Sequence, residues 1–185
     1  MIKYTLSTKN EELHQILRLQ QRSLPQAISE EERLSEGFVT LQHDYDLLRS
    51  FQEVCPHVIA KEGNKVVGYA LSMHPSFENR ITELQPMFIE INSHLAALSD
   101  RLETRAIPSF LVMGQICIDK AYRGKGIFRG LYNTMRAAYQ PPFDCIVTEV
   151  DQNNKRSLRA HYSIGFKKLH TYTENGKTWE IMYLR

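Results

Sequence analysis

The stretch that decides the fold joins a strand-like segment to a helical one through a glycine-rich turn. Residues 114–130 are Gly-Gln-Ile-Cys-Ile-Asp-Lys-Ala-Tyr-Arg-Gly-Lys-Gly-Ile-Phe-Arg-Gly. A strand is predicted over residues 109–119, and apolar residues at helical spacing predict a helix with one buried face over 126–139. Small residues in the turn let the backbone come close to a ligand, and the first amide groups of a helix attract anions. The stretch therefore predicts an anion-binding turn.

Three cations add positive charge to this turn, namely Arg123, Lys125 and Arg129. Positive side chains beside a helix N-terminus favour a phosphate ligand. We interpret the turn as a cradle for pyrophosphate. The alternative interpretation is a sharp turn that carries solvated cations.

Two other phosphate-binding designs fit this turn less well. A P-loop requires Ser or Thr after Gly-Lys, whereas Gly126 follows here. The spacing of Gly124, Gly126 and Gly130 is similar to a dinucleotide-binding fingerprint, with Glu149 about where a ribose-binding acid would lie. Only 35 residues follow Val150, which are too few to complete a doubly wound sheet. A nucleotide-dependent oxidoreductase is therefore a distant alternative.

A third design agrees with the turn more closely. The sequence resembles the GNAT superfamily of acetyl-CoA-dependent N-acetyltransferases, whose phosphate motif is Gln or Arg, two residues, Gly, one residue, then Gly or Ala. Residues 123–127 match this motif, and Phe128 stands where a small residue is usual. Residues 114–119 match the family's strand whose backbone pairs with pantetheine. The family's C-terminal motif is matched at Asn154, Ser157, Gly165 and Phe166.

The resemblance implies a binding site for acetyl-CoA as co-substrate. The residues implied for coenzyme binding are Ile116, Cys117, Ile118, Arg123, Gly124, Lys125, Gly126, Ile127, Phe128, Arg129, Gly130 and Asn154. Asn154 would hydrogen-bond the pantetheine arm, and a role as helix N-cap is equally compatible with its position. Cys117 could also be imagined as an acyl-carrying nucleophile, but no histidine adjoins it to activate the thiol.

The resemblance also implies direct attack of an amine on the thioester through a tetrahedral intermediate. The amine must be neutral to attack, and neutralising one with a pKa near 10.4 at pH 7 costs about 4–5 kcal/mol. Glu149, on the strand after the phosphate-binding helix, is the expected base that accepts the proton. The alternative is that Glu149 is an ordinary surface carboxylate.

A proton donor is also expected for the departing thiolate. Family members often place Tyr four residues before the Gly of Gly-Phe, where this chain has His161. Either His161, with an ordinary pKa near neutrality, or its neighbour Tyr162 is the expected acid. Because His161 shares a helix face with Asn154, it could instead pack against the coenzyme.

Strand-like and helical segments are intermixed outward from the turn. Further strands are predicted over residues 3–6, 57–61, 66–73, 145–150, 166–173 and 177–183. Further helices are predicted over residues 9–22, 43–51, 89–105 and 154–164, with a short one between Ser29 and Gly37. We expect one α/β domain over residues 1–185 with a GNAT-like fold. Its central, twisted, mostly antiparallel sheet would have about six to seven strands flanked by helices.

Three local patterns refine this expectation. Thr8 and Glu11 form a capping-box pattern before the first helix. Asn175-Gly176 between two strand-like runs predicts a type I′ hairpin. Residues 75–108 are longer than a hairpin connection needs, so they are predicted to be an acceptor-site insertion between strands. This segment would line or cover an acceptor pocket, or else supply a helix packed on the sheet.

Composition excludes several classes of function. The chain has 185 residues, and 23 Lys and Arg against 21 Asp and Glu give a net charge of +2. That balance argues against nucleic acid or an anionic membrane as the main partner. Three cysteines without metal-ligand spacing indicate reduced thiols in a cytoplasmic protein. The histidines lack paired metal spacing, so no metal site is predicted.

The sequence therefore favours an N-acetyltransferase that acts on an amine of a small molecule or a peptide. A non-catalytic acyl-CoA-binding sensor is the alternative, because His161 replaces the usual Tyr and Phe128 a small residue. Edge strands in the C-terminal half make a homodimer conceivable.

Overall fold

Seven strands and six α-helices alternate along the part of the chain that the computed structural model describes, residues 1–31, 39, 41–103 and 106–185. The strands are β1 Ile2–Leu6, β2 Val58–Glu62, β3 Lys65–Met73, β4 Phe110–Ile118, β5 Cys145–Asp151, β6 Lys167–Glu174 and β7 Lys177–Leu184. The helices are α1 Asn10–Gln21, α2 Tyr45–Val54, α3 Gln85–Ser93, α4 Leu95–Leu102, α5 Ile127–Tyr139 and α6 Lys155–Ser163. The predicted short helix between Ser29 and Gly37 falls largely on residues outside this description.

These elements fall into two compact units. Unit 1 comprises residues 1–73 and 113–138, and unit 2 comprises residues 74–112 and 139–185. Unit 1 contains β1, β2, β3 and the last six residues of β4, in that strand order. Unit 2 contains the first three residues of β4 followed by β5, β7 and β6.

Strand pairing is mostly antiparallel, as predicted. In unit 1, β1 pairs antiparallel with β2, and β2 pairs antiparallel with β3 with a bulge between Ala60 and Lys61. In unit 2, β5 pairs antiparallel with β7, which pairs antiparallel with β6. The parallel ladder between β4 and β5 runs from Phe110↔Cys145 to Val112↔Val147. The mixed α/β fold class is confirmed.

The core of unit 1 forms where α1 packs against the sheet. Helical spacing places Leu13, Ile16 and Leu19 on one buried face of α1, and Tyr69 and Leu71 of β3 belong to the same cluster. Burying each of these large side chains contributes roughly 1.5–3 kcal/mol before the entropy cost of ordering. This packing holds the strands that lead into the glycine-rich turn.

A buried polar network crosses the same core. Gln115 of β4 accepts hydrogen bonds through Oε1 from the Tyr69 hydroxyl at 2.6 Å and from Gln20 Nε2 at 2.8 Å. Gln20 in turn accepts a bond from the backbone amide of His43 at 2.9 Å. Buried polar groups are tolerated when they are paired, so this network ties α1 to β3 and β4.

The predicted helix over residues 89–105 is wrong as a single helix. Two helices, α3 and α4, cover this region and meet at His94, which ends one and precedes the other. The His94 backbone has φ −111° and ψ 9°, outside the helical region, so the axis breaks there. No helix within the described ranges is long and apolar enough to cross a lipid bilayer.

The acidic partner at the start of α1 also differs from the prediction. Glu12, rather than Glu11, accepts hydrogen bonds from the amides of Thr8 at 2.9 Å and Lys9 at 3.1 Å. Its second oxygen lies 2.7 Å from Lys61 Nζ, and the Glu12 side chain is only 6% exposed. Glu11 instead pairs with Arg18 on the surface. Burial raises the pKa of Glu12, but these bonds outweigh it and leave the pKa below its usual value.

Replacing Glu12 with Gln should lower the free energy of unfolding by about 2 kcal/mol or more, because Lys61 loses its buried partner. Glu11→Gln removes an exposed pair of the same type and should cost less than about 0.5 kcal/mol. Urea unfolding of both variants at pH 7 measures this difference. Equal losses would show that the Glu12 contacts add nothing to stability beyond a surface pair.

Candidate functional site

The glycine-rich turn lies in unit 1, between β4 and α5. Gly124 and Gly126 have φ values of 75° and 76°, in the left-handed region that favours glycine. A Cβ atom at either position would meet no atom within 4 Å, so the space in front of both backbones is open. A side chain there would be strained and would occupy the space that a ligand needs.

Basic and acidic side chains shape the turn from its flanks. Arg123 donates from Nε to the carbonyl of Ile118 at 3.3 Å, which holds the turn against the end of β4. Lys125 Nζ lies 4.9 Å from the centre of the Tyr122 ring. The Tyr122 hydroxyl donates to Glu62 at 2.5 Å, which fixes the ring beneath the lysine. The predicted cradle therefore has an ordered basic rim.

Side chains of α5 have packing roles that the sequence did not indicate. A Cβ atom on Gly130 would lie 2.2 Å from the Tyr4 ring, so its small size is explained by contact with β1 rather than with a ligand. Ile127 is buried and packs over Gly68. Phe128 is partly buried and meets the Tyr132 ring edge-on, with centroids 5.2 Å apart. At Ile127 and Gly130, therefore, only the backbone is a candidate for contact with a coenzyme.

Side chains of β4 alternate between two environments. Ile116 and Ile118 are partly buried, whereas Cys117 is buried with its Sγ 3.0 Å from Ser23 Oγ. Burial raises the pKa of the Cys117 thiol, so the thiol stays protonated at neutral pH. Because a nucleophile needs the thiolate, this arrangement speaks against acyl transfer through Cys117.

Glu149 lies in unit 2, on β5, two residues beyond the last pair of the parallel ladder with β4. Its Oε2 accepts a hydrogen bond of 2.5 Å from the hydroxyl of Tyr172 on β6. Burial raises the pKa of Glu149 to about 7, against the opposing effect of the Tyr172 hydrogen bond. A carboxyl group that titrates near pH 7 can accept a proton at that pH and release it afterwards.

His161 of α6 does not have the near-neutral pKa that was expected. The side chain is only 1% exposed, and burial lowers its pKa to about 4. Nδ1 donates to the carbonyl of Ser157 at 2.8 Å, and the ring meets Phe166 edge-on at 5.0 Å. His161 is therefore neutral at pH 7 and holds its proton on the nitrogen that faces the helix backbone.

Tyr162 differs from His161 in exposure and in partner. It is 45% exposed, and its hydroxyl donates to the buried carboxylate of Glu180 on β7. Burial, followed by the Glu180 contact, raises the pKa of Tyr162 to about 12. Lys168 Nζ lies 3.8 Å from the other Glu180 oxygen. Tyr162 therefore keeps its proton at neutral pH.

Asn154 occupies the N-cap of α6. Its Oδ1 accepts a hydrogen bond from the amide of Ser157 at 3.2 Å, which is the capping role that the sequence left open. Capping bonds of this kind contribute about 1 kcal/mol. The capping role of Asn154 is therefore present in the structure, and Oδ1 retains a second lone pair.

Sequence reasoning missed two residues of unit 2, Tyr172 and Glu180. Tyr172 of β6 donates to Glu149 of β5, and Glu180 of β7 accepts from Tyr162 of α6. The Asn175-Gly176 pattern indicated the β6–β7 hairpin correctly, but no local pattern shows that β7 pairs with β5. That pairing decides which side chains face Glu149.

Comparison with protein families matches the acetyltransferase (GNAT) family to residues 13–166. This chain belongs to the GNAT acetyltransferase family. It is therefore an acyltransferase of a family that takes its acetyl group from acetyl-CoA and acts on amine acceptors. A comparison with curated proteins gives no match.

Solved structures with the same fold agree with this assignment. The ribosomal-protein-S18-alanine N-acetyltransferase of Escherichia coli has 13% identity and a TM-score of 0.62, over 100% of this chain and 93% of that one. The Salmonella typhimurium protein yncA, solved with its cofactor acetyl-CoA, has 14% identity and a TM-score of 0.63, over 100% and 94%. The NatC complex bound to Gag peptide and CoA has 17% identity and a TM-score of 0.64, over 99% and 97%.

The raised pKa of Glu149 should make stability depend on pH. Unfolding restores its ordinary pKa near 4.5, so its contribution is fully present below that pH and is lost as pH rises through about 7. Glu149→Gln has no such loss. The difference in free energy of unfolding between Glu149→Gln and the wild type should therefore shift by about 2 kcal/mol in favour of the variant from pH 5 to pH 8.

Urea unfolding at both pH values measures this change. Glu83→Gln, at an exposed position between α2 and α3, serves as the control and should differ from the wild type equally at both pH values. A Glu149→Gln difference that is the same at pH 5 and pH 8 would contradict the raised pKa.

Proposed function

We propose that this chain transfers the acetyl group of acetyl-CoA to an amine of a small molecule or peptide, by direct attack through a tetrahedral intermediate. The observation that carries the proposal is Glu149, a partly buried carboxyl group with a pKa of about 7 and a hydrogen bond to Tyr172. An ammonium group must lose a proton before it can attack a thioester. A carboxylate that titrates near neutral pH is suited to accept it.

The coenzyme would bind along the turn and the strand of unit 1. The open space at Gly124 and Gly126 supports close approach of the pyrophosphate to the backbone and to the first turn of α5. Arg123, Lys125 and Arg129 would add positive charge at the rim. The backbone of residues 116–118 would pair with the pantetheine arm, whose reactive end carries the acetyl thioester.

The departing thiolate needs a proton, and we assign this role to Tyr162 rather than His161. The Tyr162 hydroxyl holds its proton at neutral pH and is partly exposed, and to protonate the thiolate it would have to turn away from Glu180. His161 has its proton on Nδ1, which is bonded to the Ser157 carbonyl, so its Nε2 has none to donate. His161 would then position α6 through its bond to Ser157 and its packing on Phe166.

Residues 1–185 would act as one acyltransferase domain, with residues 75–108 as an insertion on the acceptor side. The three cysteines are unpaired and buried, which supports a reducing compartment such as the cytoplasm. The acceptor class comprises amines of small molecules and of peptides.

Acetyl-CoA binding and turnover test the proposal together. Calorimetric titration should show one acetyl-CoA bound per chain, with NADPH and ATP as comparison ligands. Gly126→Glu should abolish binding, because its side chain and negative charge enter the cradle. Gly176→Glu is the matched control, since Gly176 has φ 72° and an equally open Cβ position in the β6–β7 turn.

Turnover is then assayed on a panel of primary amines and of peptides with free N-termini. Release of free CoA together with an acetylated amine is the expected result. Binding of acetyl-CoA without transfer to any member of the panel would favour the sensor function. Absence of acetyl-CoA binding by folded protein would remove both functions.

The Tyr172 hydrogen bond should influence the pH of the acidic limb in the profile of kcat/KM against pH. The bond lowers the pKa of Glu149, so Tyr172→Phe should raise that pKa and move the acidic limb of kcat/KM to higher pH. Glu149→Gln should lower kcat/KM by roughly 10²–10⁴-fold. Initial rates between pH 5.5 and 9 with one fixed acceptor measure both effects.

The fixed acceptor keeps the ionisation of the amine constant across variants. Tyr122→Phe, which removes another tyrosine-to-glutamate bond, should leave the acidic limb in place. If the limb stays unchanged in Tyr172→Phe and Glu149→Gln keeps its full rate, Glu149 is not the base.

A further inference from the structure

Two histidines and a glutamate form a cluster in unit 2. Glu90 lies on α3, His94 at the junction of α3 and α4, and His170 on β6. Glu90 Oε2 is 3.4 Å from His170 Nε2 and 3.8 Å from His94 Nδ1. One ligand atom from each residue lies within 4.8 Å of the others. None of the three takes part in the proposed reaction.

This donor set has the chemistry of a transition-metal site. Imidazole nitrogen and carboxylate oxygen are common zinc ligands, and sites with three protein ligands leave a fourth position for water. Bonds of about 2.0–2.1 Å in tetrahedral geometry place neighbouring ligand atoms about 3.3 Å apart. The distance of 3.4 Å between Glu90 and His170 is already close to that value.

His94 is held in the tautomer that a metal ligand requires. Its Nδ1 lies 2.8 Å from the carbonyl oxygen of Glu90, and a carbonyl oxygen can only accept, so Nδ1 carries the proton. The Nε2 of the neutral ring then has the unshared electron pair, so Nε2, and not the Nδ1 that lies 3.8 Å from Glu90 Oε2, is the ligand atom of His94. Metal-binding histidines usually donate their other N–H to a carbonyl or carboxylate in this way.

His170 needs only a local movement to join the same ion. Its ring stacks on that of His94, with centroids 3.8 Å apart and planes 23° from parallel. Convergence of the two nitrogens requires the His170 ring to rotate about its side-chain bonds. The His170 side chain is 36% exposed and the Glu90 side chain 30%, so water reaches both side chains.

We propose that Glu90, His94 and His170 form a binding site for one divalent transition-metal ion of the zinc class. The ion ties the α3–α4 junction to β6. His170 and Glu149 both pair with Ile181 of β7, so the tied position lies on the same face of unit 2 as Glu149. The metal therefore braces the strand that also carries Tyr172. Spacing in the sequence does not indicate this site, because His94 and His170 are far apart in the chain.

Equilibrium dialysis against Zn²⁺ tests the site directly. The full chain is prepared without a histidine tag and stripped with a chelator, and folding of each variant is checked by circular dichroism. The wild type should bind one Zn²⁺ per chain. Glu90→Gln and His170→Asn should each weaken binding by roughly 10–100-fold or more. His14→Asn is the matched control, because His14 also stacks on an aromatic ring, that of Tyr45 at 4.7 Å, but in unit 1.

Thermal unfolding provides a second readout. Zn²⁺ should raise the Tm of the wild type and of His14→Asn, and should raise it less in Glu90→Gln, whose side-chain volume is unchanged. Wild-type protein that binds no Zn²⁺, or variants that bind it as tightly as the wild type, would overturn the proposal. Both readouts measure binding, so the result does not depend on acetyl transfer.

Discussion

The register of the β6–β7 hairpin is the constraint on which the arrangement of unit 2 depends. Asn175 and Gly176 have φ values of 50° and 72°, as a type I′ turn requires. This turn determines which residues of β6 and β7 lie opposite each other, and β7 pairs on its other side with β5. A slip of one residue would move Tyr172 and His170 to the opposite face. The Tyr172 hydrogen bond that lowers the pKa of Glu149 therefore depends on a two-residue turn.

Unit 1 depends on a different constraint, which is the backbone of the glycine-rich turn. Two left-handed glycines direct the chain from the end of β4 into α5 without placing side chains over the first helical turn. The buried polar bonds of Gln115 and the packing of Gly130 on Tyr4 hold the strand and helix on either side. The turn is thus presented by rigid elements, a general requirement for a binding site with fixed geometry.

Much of the fold could be predicted from the sequence because local patterns are strong where elements are regular. The glycine-rich turn, the helix after it and the Asn175-Gly176 hairpin all follow from residue type and spacing. The break at His94 could not be predicted, since the apolar pattern runs through it. The choice of Glu12 over Glu11 depends on Lys61, which lies on a distant strand.

Only the part of the candidate site that is contiguous in the chain could be predicted from the sequence. The coenzyme-binding turn is contiguous in the chain, so its pattern is visible in the sequence. The neighbours of Glu149 and the burial of His161 arise from packing between distant segments. A pKa is set by such surroundings, and for this reason the near-neutral value expected for His161 was wrong while Glu149 acquired one.

The reactivity of the three buried thiols reports local unfolding of the segments around them. Burial raises the pKa values of Cys55 and Cys117 in unit 1 and brings that of Cys145 in unit 2 to about 12. Only the thiolate reacts quickly with alkylating reagents, so each thiol is alkylated slowly while its surroundings stay folded. The order in which the cysteines become labelled would therefore reveal which unit loosens first as conditions change.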